Sequence, residues 1–314
     1  MAPVRQGASD LCEAAQALGL TCEVVAVPAP GKVSDLELGP LNQLIRRRLA
    51  DADRVLVVAH GQLGGNGRLH ATARACGLPV LGPSEIAIAR AHDKLWARRQ
   101  LSHANLPVPR TLEVKNSRSA PSLGDDKEAQ SSDLARLGWP CVVKPRYGGT
   151  EAGTRRLTSP ASIREAIAES SAGELLLERE VHGRALSVIV IDGEVLGVAE
   201  IEESTNQRGQ RIEILSCPAQ LSRCQRAGVE NLGRRACAAL HLSDGPTRVD
   251  LILSERGNEV ILDVEPLPRL HRDGVVARVA RAAGLSYPHL CAQLLERREP
   301  CEGRGVRPAG ELDA

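Results

Sequence analysis

Phenylalanine is absent from the 314 residues, and Tyr, Trp and Met number only two, two and one. The interior must therefore be built from Leu, Val, Ile and Ala, which bury less area per side chain than aromatic rings. No apolar run approaches the roughly 18 residues of a membrane-crossing helix. Residues 1–20 have neither the basic flank nor the apolar core of a secretion signal, so export is not expected. Neither sign of charge is in excess: 40 basic against 39 acidic residues leave a net +1, with a pI near 7.6. That excludes a general nucleic-acid binder, which needs a strong basic surplus. The nine cysteines are odd in number and none has Cys-x-x-Cys spacing, which argues against a disulfide framework or a structural zinc site. They read as reduced, mostly buried thiols of a cytoplasmic protein. Lysine is also scarce, at five of the 40 basic residues, so each lysine stands out.

What is present is ordinary for a water-soluble chain, with 42% hydrophobic and 25% charged residues. The length suggests two or three compact units. The first section alternates helix and strand. Residues 8–18 have helical spacing, 21–27 read as a strand and 36–50 as a second helix. Residues 54–59 (RVLVVA) form a continuous apolar run of the kind buried inside parallel sheets. A glycine-rich stretch from His60 to Gly67 leads to a helix over 68–76 and a short strand over 79–81. Such an open α/β unit places its ligand site past the carboxyl ends of its strands, where His60 falls.

Ser84 reads as an N-cap, and the helix behind it carries Asp93-Lys94, with another leading to Leu106-Pro107. Residues 116–132 are polar and turn-rich and read as a loop or insertion. A strand at 141–145 enters a glycine-rich loop over 147–153, and a return strand follows. Further strands are expected at 174–178, 185–191, 195–200, 248–253 and 259–264, and helices at 222–240, 274–283 and 287–296. The fold class is α/β (α+β). Its units are expected over 1–82, 83–178 and 179–297, with 298–314 a disordered tail.

Two constellations carry chemistry. The loop after Lys144 is neither a Walker loop nor a dinucleotide fingerprint, because no Gly-Lys-Ser/Thr follows and the next element is a strand. A glycine-rich hairpin can still offer backbone N–H groups to phosphate oxygens, and Lys144 can add a point charge. By itself it reads more readily as a plain tight hairpin. The acidic cluster says more. Asp263 and Glu265 lie two apart on one strand and so face one side. The short turn at 255–258 makes the preceding strand an antiparallel neighbour, which sets Asp250 opposite the pair. Three carboxylates on one face call for a hard divalent cation such as Mg²⁺, or for salt bridges to Arg248 and Arg269. The histidines at 70, 92, 103, 241 and 289 are scattered and read as surface or partly buried, and Arg46-Arg47-Arg48 as a solvated helix face.

The pieces occur in a telling order. His60-Gly61, Gly64 to Gly67, Asp93-Lys94, Val143-Lys144-Pro145, the loop Gly148-Gly149-Thr150-Glu151-Ala152-Gly153, Leu175 to Glu178 with Val181-His182-Gly183-Arg184, then Arg248-Val249-Asp250 and Leu262-Asp263-Val264-Glu265-Pro266, are followed by Ala280 to Tyr287. Over about residues 20–297 this resembles the ATP-grasp enzymes of the D-alanine–D-alanine ligase type. The resemblance implies a three-domain ATP-grasp architecture, with an N-terminal open α/β domain and two domains clasping the nucleotide. It implies an ATP-dependent carboxylate–amine ligase working through an acyl phosphate, with ATP and Mg²⁺ (or Mn²⁺) as cofactors. Its partners would be small-molecule carboxylate and amine substrates, with neither nucleic acid nor membrane, and a homodimer is left open.

The resemblance also assigns roles. Lys94 and Lys144 would hold ATP phosphates, and Gly148, Gly149, Thr150 and Gly153 would close over the γ-phosphate. Glu178 and the backbone of Val181 would read adenine, and Leu262 would pack on its ring. Asp250, Asp263 and Glu265 would carry the metal, Glu265 standing where the family usually has Asn. Arg248 would stabilise the charged acyl intermediate, and His60 would line the acceptor pocket. Arg269 and His271 would face substrate.

The departures concern the substrate side. The sequence starts after the point where the family has its first strand and glycine loop. Gly65 replaces an acidic residue, Ala185 a ribose-binding glutamate, Arg269 a glycine near the substrate, and Gly274 a substrate-contacting serine. The polar stretch 204–211 replaces the family's mobile loop. A nucleotide-binding homologue with little turnover is the alternative reading.

Overall fold

The computed structural model describes residues 2–27, 38–59, 64–117, 120–122, 133–148, 154–170, 173–205 and 211–296. In the first section, α1 (Ala2–Ala17) and α2 (Leu38–Arg48) precede a short parallel pair, β1 (Val55–Leu56) and β2 (Val80–Leu81), joined through α3 (Arg68–Ala75). The expected strand at 21–27 does not form. Val27 packs on the Leu41–Ile45 side of α2, but among the described residues this segment's backbone joins no ladder, and Val24 is 44% exposed. The apolar run at 54–59 is a strand for two residues only.

Two helices follow. Ser84 caps α4 (Glu85–His92), its side chain accepting from the N–H of Ala87. Asp93 ends α4 and caps α5 (Lys94–His103), accepting from the N–H groups of Leu95 and Trp96.

The middle sheet has the order β4-β3-β7-β5-β6, built from β3 (Thr111–Ser117), β4 (Ala120–Ser122), β5 (Cys141–Pro145), β6 (Arg155–Leu157) and β7 (Glu174–Arg179). The segment read as a loop from 116 thus begins inside a strand, while 123–132 lie outside the described residues. Helix α6 (Ser162–Glu169) covers this sheet with Ile163, Ala166 and Ile167, an i, i+3, i+4 stripe that the sequence displayed and the reading above passed over.

The last sheet is antiparallel, in the order β10-β9-β8-β11-β12: β8 (Arg184–Ile191), β9 (Glu194–Thr205), β10 (Arg211–Ser216), β11 (Pro246–Leu253) and β12 (Glu259–Glu265). Of the polar stretch at 204–211, Ser204 and Thr205 end β9 and Arg211 opens β10, while 206–210 lie outside the described residues. Helix α7 (Arg223–Ala239) covers one face and α8 (Val275–Ala282) with α9 (Tyr287–Leu295) the other. Strand β8 sends Leu186, Val188 and Val190 to the α7 side and Ile189 and Ile191 to the α8–α9 side, where α1 also packs. Burial on both faces explains its apolar run Val188–Ile191.

With no Phe to fill space, the helices approach the sheet closely. A Cβ on Gly233 of α7 would lie 2.7 Å from Val188 Cγ1, and one on Gly197 of β9 would lie 2.9 Å from Val279 Cγ1. Among the described residues, no helix is long and apolar enough to cross a membrane.

Candidate active site

The N-terminus of α5, the end of β5, the end of β7 and strand β12 meet around a group of buried charges. The cap residue Asp93 is gripped by Arg146, which follows β5: Arg146 Nε and one terminal nitrogen donate to the two Asp93 oxygens at 2.7 and 2.6 Å. The other terminal nitrogen donates to Glu113 at 2.8 Å and to Glu174 at 3.1 Å. The Lys94 N–H donates to the Arg146 carbonyl at 3.1 Å, and Lys94 Nζ donates to the carbonyl of Gly148. Lys94 is thus aimed at the base of the glycine-rich loop. Gly149, Thr150 and Gly153 of that loop, and His60, lie outside the described residues.

Lys144, on β5, is 6% exposed and its Nζ stands 2.7 Å from Glu178 Oε2. Glu178, near the end of β7, is 4% exposed and is also held by Arg98 from α5. Burial would push the Glu178 carboxyl up, but the charges of Arg98 and Lys144 outweigh it and hold it below the usual carboxylate range. Burial, and then the charge of Arg98, pull the Lys144 ammonium below the usual lysine range in spite of Glu178. Arg98 escaped the sequence reading. Its signal was its position four residues after Lys94 on one helix, which puts both cations on the same face. Glu178, expected to read adenine, has both oxygens taken by cations in this arrangement. Val181, just past β7, and Leu262, on β12, are half-buried.

Asp250 does stand opposite Asp263, and Arg248 opposite Glu265. Asp250, expected with Asp263 and Glu265 as a metal-binding carboxylate, is engaged by neighbouring groups in this arrangement. Asp250 accepts from the Ser187 hydroxyl on one oxygen and from Arg248 on the other, at 3.1 and 2.9 Å. The salt-bridge alternative weighed for the cluster holds for this member, with Arg248 its partner. Among the described residues no three His, Cys, Asp or Glu side chains gather closely enough to hold a metal ion.

The Asp263–Glu265 pair is different in kind. Burial would raise the Asp263 carboxyl, but Lys94, Lys144, Arg98 and Arg248 hold it low. Glu265 is pushed up to about 7, first by burial and then by the charge of Asp263. Two same-face carboxylates, one of them resisting ionisation beside the other, are a donor set that a divalent cation would neutralise, so the residues fit Mg²⁺.

On the substrate side, Arg269 is exposed. His271 lies between α1 and the start of α8. A Cβ on Gly274 would come within 3.1 Å of the His271 ring, and one on Gly7 within 3.4 Å of its backbone. The N–H of Arg272 donates to Asp10 of α1 at 2.8 Å.

Two histidines read as surface or partly buried need comment. His92, at the end of α4, lies in range of the charges of Lys94 and Asp263, and its ring is 6.1 Å from that of Tyr147. His70 is 0% exposed, and among the described residues neither ring nitrogen has a hydrogen-bond partner.

Residues 101–296 match a family model described as D-ala D-ala ligase C-terminus. Among curated relatives, a D-alanine–D-alanine ligase of Anaeromyxobacter sp. (strain K) is 29% identical over 259 residues, covering 80% of this chain and 81% of that one. A solved D-alanine–D-alanine ligase from Bacillus anthracis superposes with a TM-score of 0.77 at 20% identity, covering 94% of this chain and 91% of that one. The same ligase complexed with ATP gives a TM-score of 0.75 at 21% identity, with the same coverage of both chains. These structures share the ATP-grasp fold with the chain.

Proposed function

The chain belongs to the D-ala D-ala ligase C-terminus family, and we propose the following chemistry for it. It is an ATP-dependent enzyme that joins a carboxylate to an amine. A substrate carboxylate oxygen attacks the γ-phosphorus of ATP, giving an acyl phosphate and ADP. The amine then attacks the acyl carbon, phosphate leaves with the C–O bonding pair, and the amine loses a proton. The observation that supports this reading is that Lys94, which reaches the Gly148 carbonyl, and Lys144 both lie in charge range of Asp263 on β12, in a chain with so few lysines.

Each residue has a task. Lys94 and Lys144 neutralise ATP phosphate oxygens, and the loop with Gly148, Gly149, Thr150 and Gly153 closes over the γ-phosphate. Glu178 accepts from the adenine amino group, the Val181 backbone contacts the base, and Leu262 packs on the ring. Asp263 and Glu265 would hold Mg²⁺, with Asp250 opposite Asp263 and kept in place by Arg248. Mg²⁺ bound there would neutralise phosphate charge. Phosphoryl transfer mainly requires positioning and neutralisation of charge, and this set provides both. Arg248, beside the acidic strand, faces the negative charge that develops on the acyl group. His60 lines the acceptor pocket, and Arg269 and His271 select the substrate.

The substrates we propose are small amino or hydroxy acids other than D-alanine pairs, handled in the cytoplasm with no nucleic-acid or membrane partner. A homodimer is compatible with this. The test is ADP release across a panel of amino and hydroxy acids, followed by ¹⁸O labelling of the active carboxylate. Transfer of one ¹⁸O into the released phosphate supports the acyl phosphate, and unlabelled phosphate refutes it.

A further inference from the structure

Glu178 is a buried carboxylate shared by two cations, and the nucleotide reading above, on which this inference rests, requires one of them elsewhere. Arg98 Nε donates to Glu178 Oε1 at 2.9 Å and a terminal nitrogen to Oε2 at 3.3 Å. Lys144 Nζ lies 2.7 Å from the same Oε2 and 3.5 Å from the Leu262 carbonyl. Arg98 also donates to that carbonyl. The Thr111 hydroxyl of β3 reaches Oε1 at 3.5 Å. Arg98 from α5, Lys144 from β5 and the Thr111 hydroxyl from β3 are the charged and polar groups facing Glu178.

If Lys144 is to hold a phosphate, it must let go of Glu178. A buried carboxylate stripped of its only counter-charge is strongly disfavoured; it keeps the cation or takes up a proton. With two cations present, one can leave. We propose that Arg98 is the positioning residue that lets Lys144 exchange Glu178 for a nucleotide phosphate, by remaining on Glu178 as its counter-charge. Its fork suits this task, since it holds both carboxylate oxygens as well as the Leu262 carbonyl. The carboxylate and the β12 main chain at Leu262 thus stay in register while the lysine swings away. The exchange then moves no proton.

The test is a calorimetric titration of the chain with ATP and Mg²⁺ in two buffers of different ionisation enthalpy, which returns the protons taken up per nucleotide. Arg98→Met should bind ATP at least tenfold more weakly at pH 8. It should also take up more protons than the wild type, approaching one extra per ATP, as Glu178 becomes neutral when Lys144 leaves. Arg98→Lys should restore the wild-type proton count. Arg98→Gln, which keeps hydrogen bonding and most of the volume, should behave as Arg98→Met and serves if the methionine variant does not fold. In a Glu178→Gln background, Arg98→Met should leave the proton count unchanged.

Wild-type affinity and proton count in both neutral variants would overturn the proposal. So would weaker binding with an unchanged proton count, since that is the signature of a merely structural residue. A wild-type chain that binds no ATP would overturn the nucleotide reading together with this proposal, and the wild-type titration alone identifies that case.

Discussion

Arg146 and Asp93 form a two-pronged ion pair, at 2.7 and 2.6 Å, that fastens the residue after β5 to the cap of α5. Asp93 orients the helix carrying Lys94 and Arg98, and Arg146 precedes the glycine-rich loop. The pair therefore holds the lysine and the loop base in one frame. Hydrogen bonds to Arg146 are the leading cause that holds the Asp93 carboxyl low against its burial. Removing one partner of a largely buried, charge-assisted pair leaves the other uncompensated. Arg146→Met should cost about 2 kcal/mol in urea denaturation and raise the KM for ATP. Unchanged stability and KM would mean that the pair holds nothing together.

Lys144→Ala removes a cation proposed for the phosphates. The ATP dissociation constant should rise at least tenfold, about 1.4 kcal/mol. Lys115→Ala, on β3, is the matched control and should change little. Calorimetry returning equal affinities for the wild type and Lys144→Ala would move the nucleotide site elsewhere.

His70 supplies a pH dependence of stability. Burial, followed by the charge of Arg74, lowers its pKa from 6.5 to about 4. The folded state thus resists a proton that the unfolded chain accepts, so stability is full above about pH 6.5 and falls as pH drops toward 4. The whole effect is about 3 kcal/mol. His70→Leu should flatten this part of the profile in urea denaturation at pH 7 and pH 4.5. An unaltered slope would assign it to other groups.

Arg269 is the residue proposed here to govern substrate choice. A large cation where the family has glycine should exclude a pose that needs the space, yet can pair with an extra carboxylate or phosphate on a different substrate. D-Alanine should be a poor substrate in an ADP-release assay, and efficient D-alanyl-D-alanine synthesis would refute this. If an acidic substrate is found, Arg269→Gly should weaken its KM more than that of ATP.

What the sequence disclosed follows from range. The side-chain alternation along β12 put Asp263 and Glu265 on one face, and the four-residue turn put Asp250 opposite, as the register bears out. Both readings needed only neighbours in the chain. Arg98 and Glu178 are 80 residues apart, and no local pattern announces their pairing. The same distance effect hid the cations on Glu178, so a group read as the acceptor for adenine also carries two cations. The segment at 21–27 failed as a strand because a strand requires a partner, which its own composition cannot supply. Residues 162–169 were missed although their apolar spacing was plain.

The acidic pair on β12 is where the account is most exposed. Asp263→Asn combined with Glu265→Gln removes both like charges from one face of the strand. The double variant should fold, the relief of mutual repulsion being set against the loss of the cations' hold on Asp263. ADP release measured with Mg²⁺ and the active substrate pair should nevertheless be abolished, since no carboxylate pair is left to hold the cation against the phosphates. Full Mg²⁺-dependent ADP release by the folded double variant would contradict the assignment of the site.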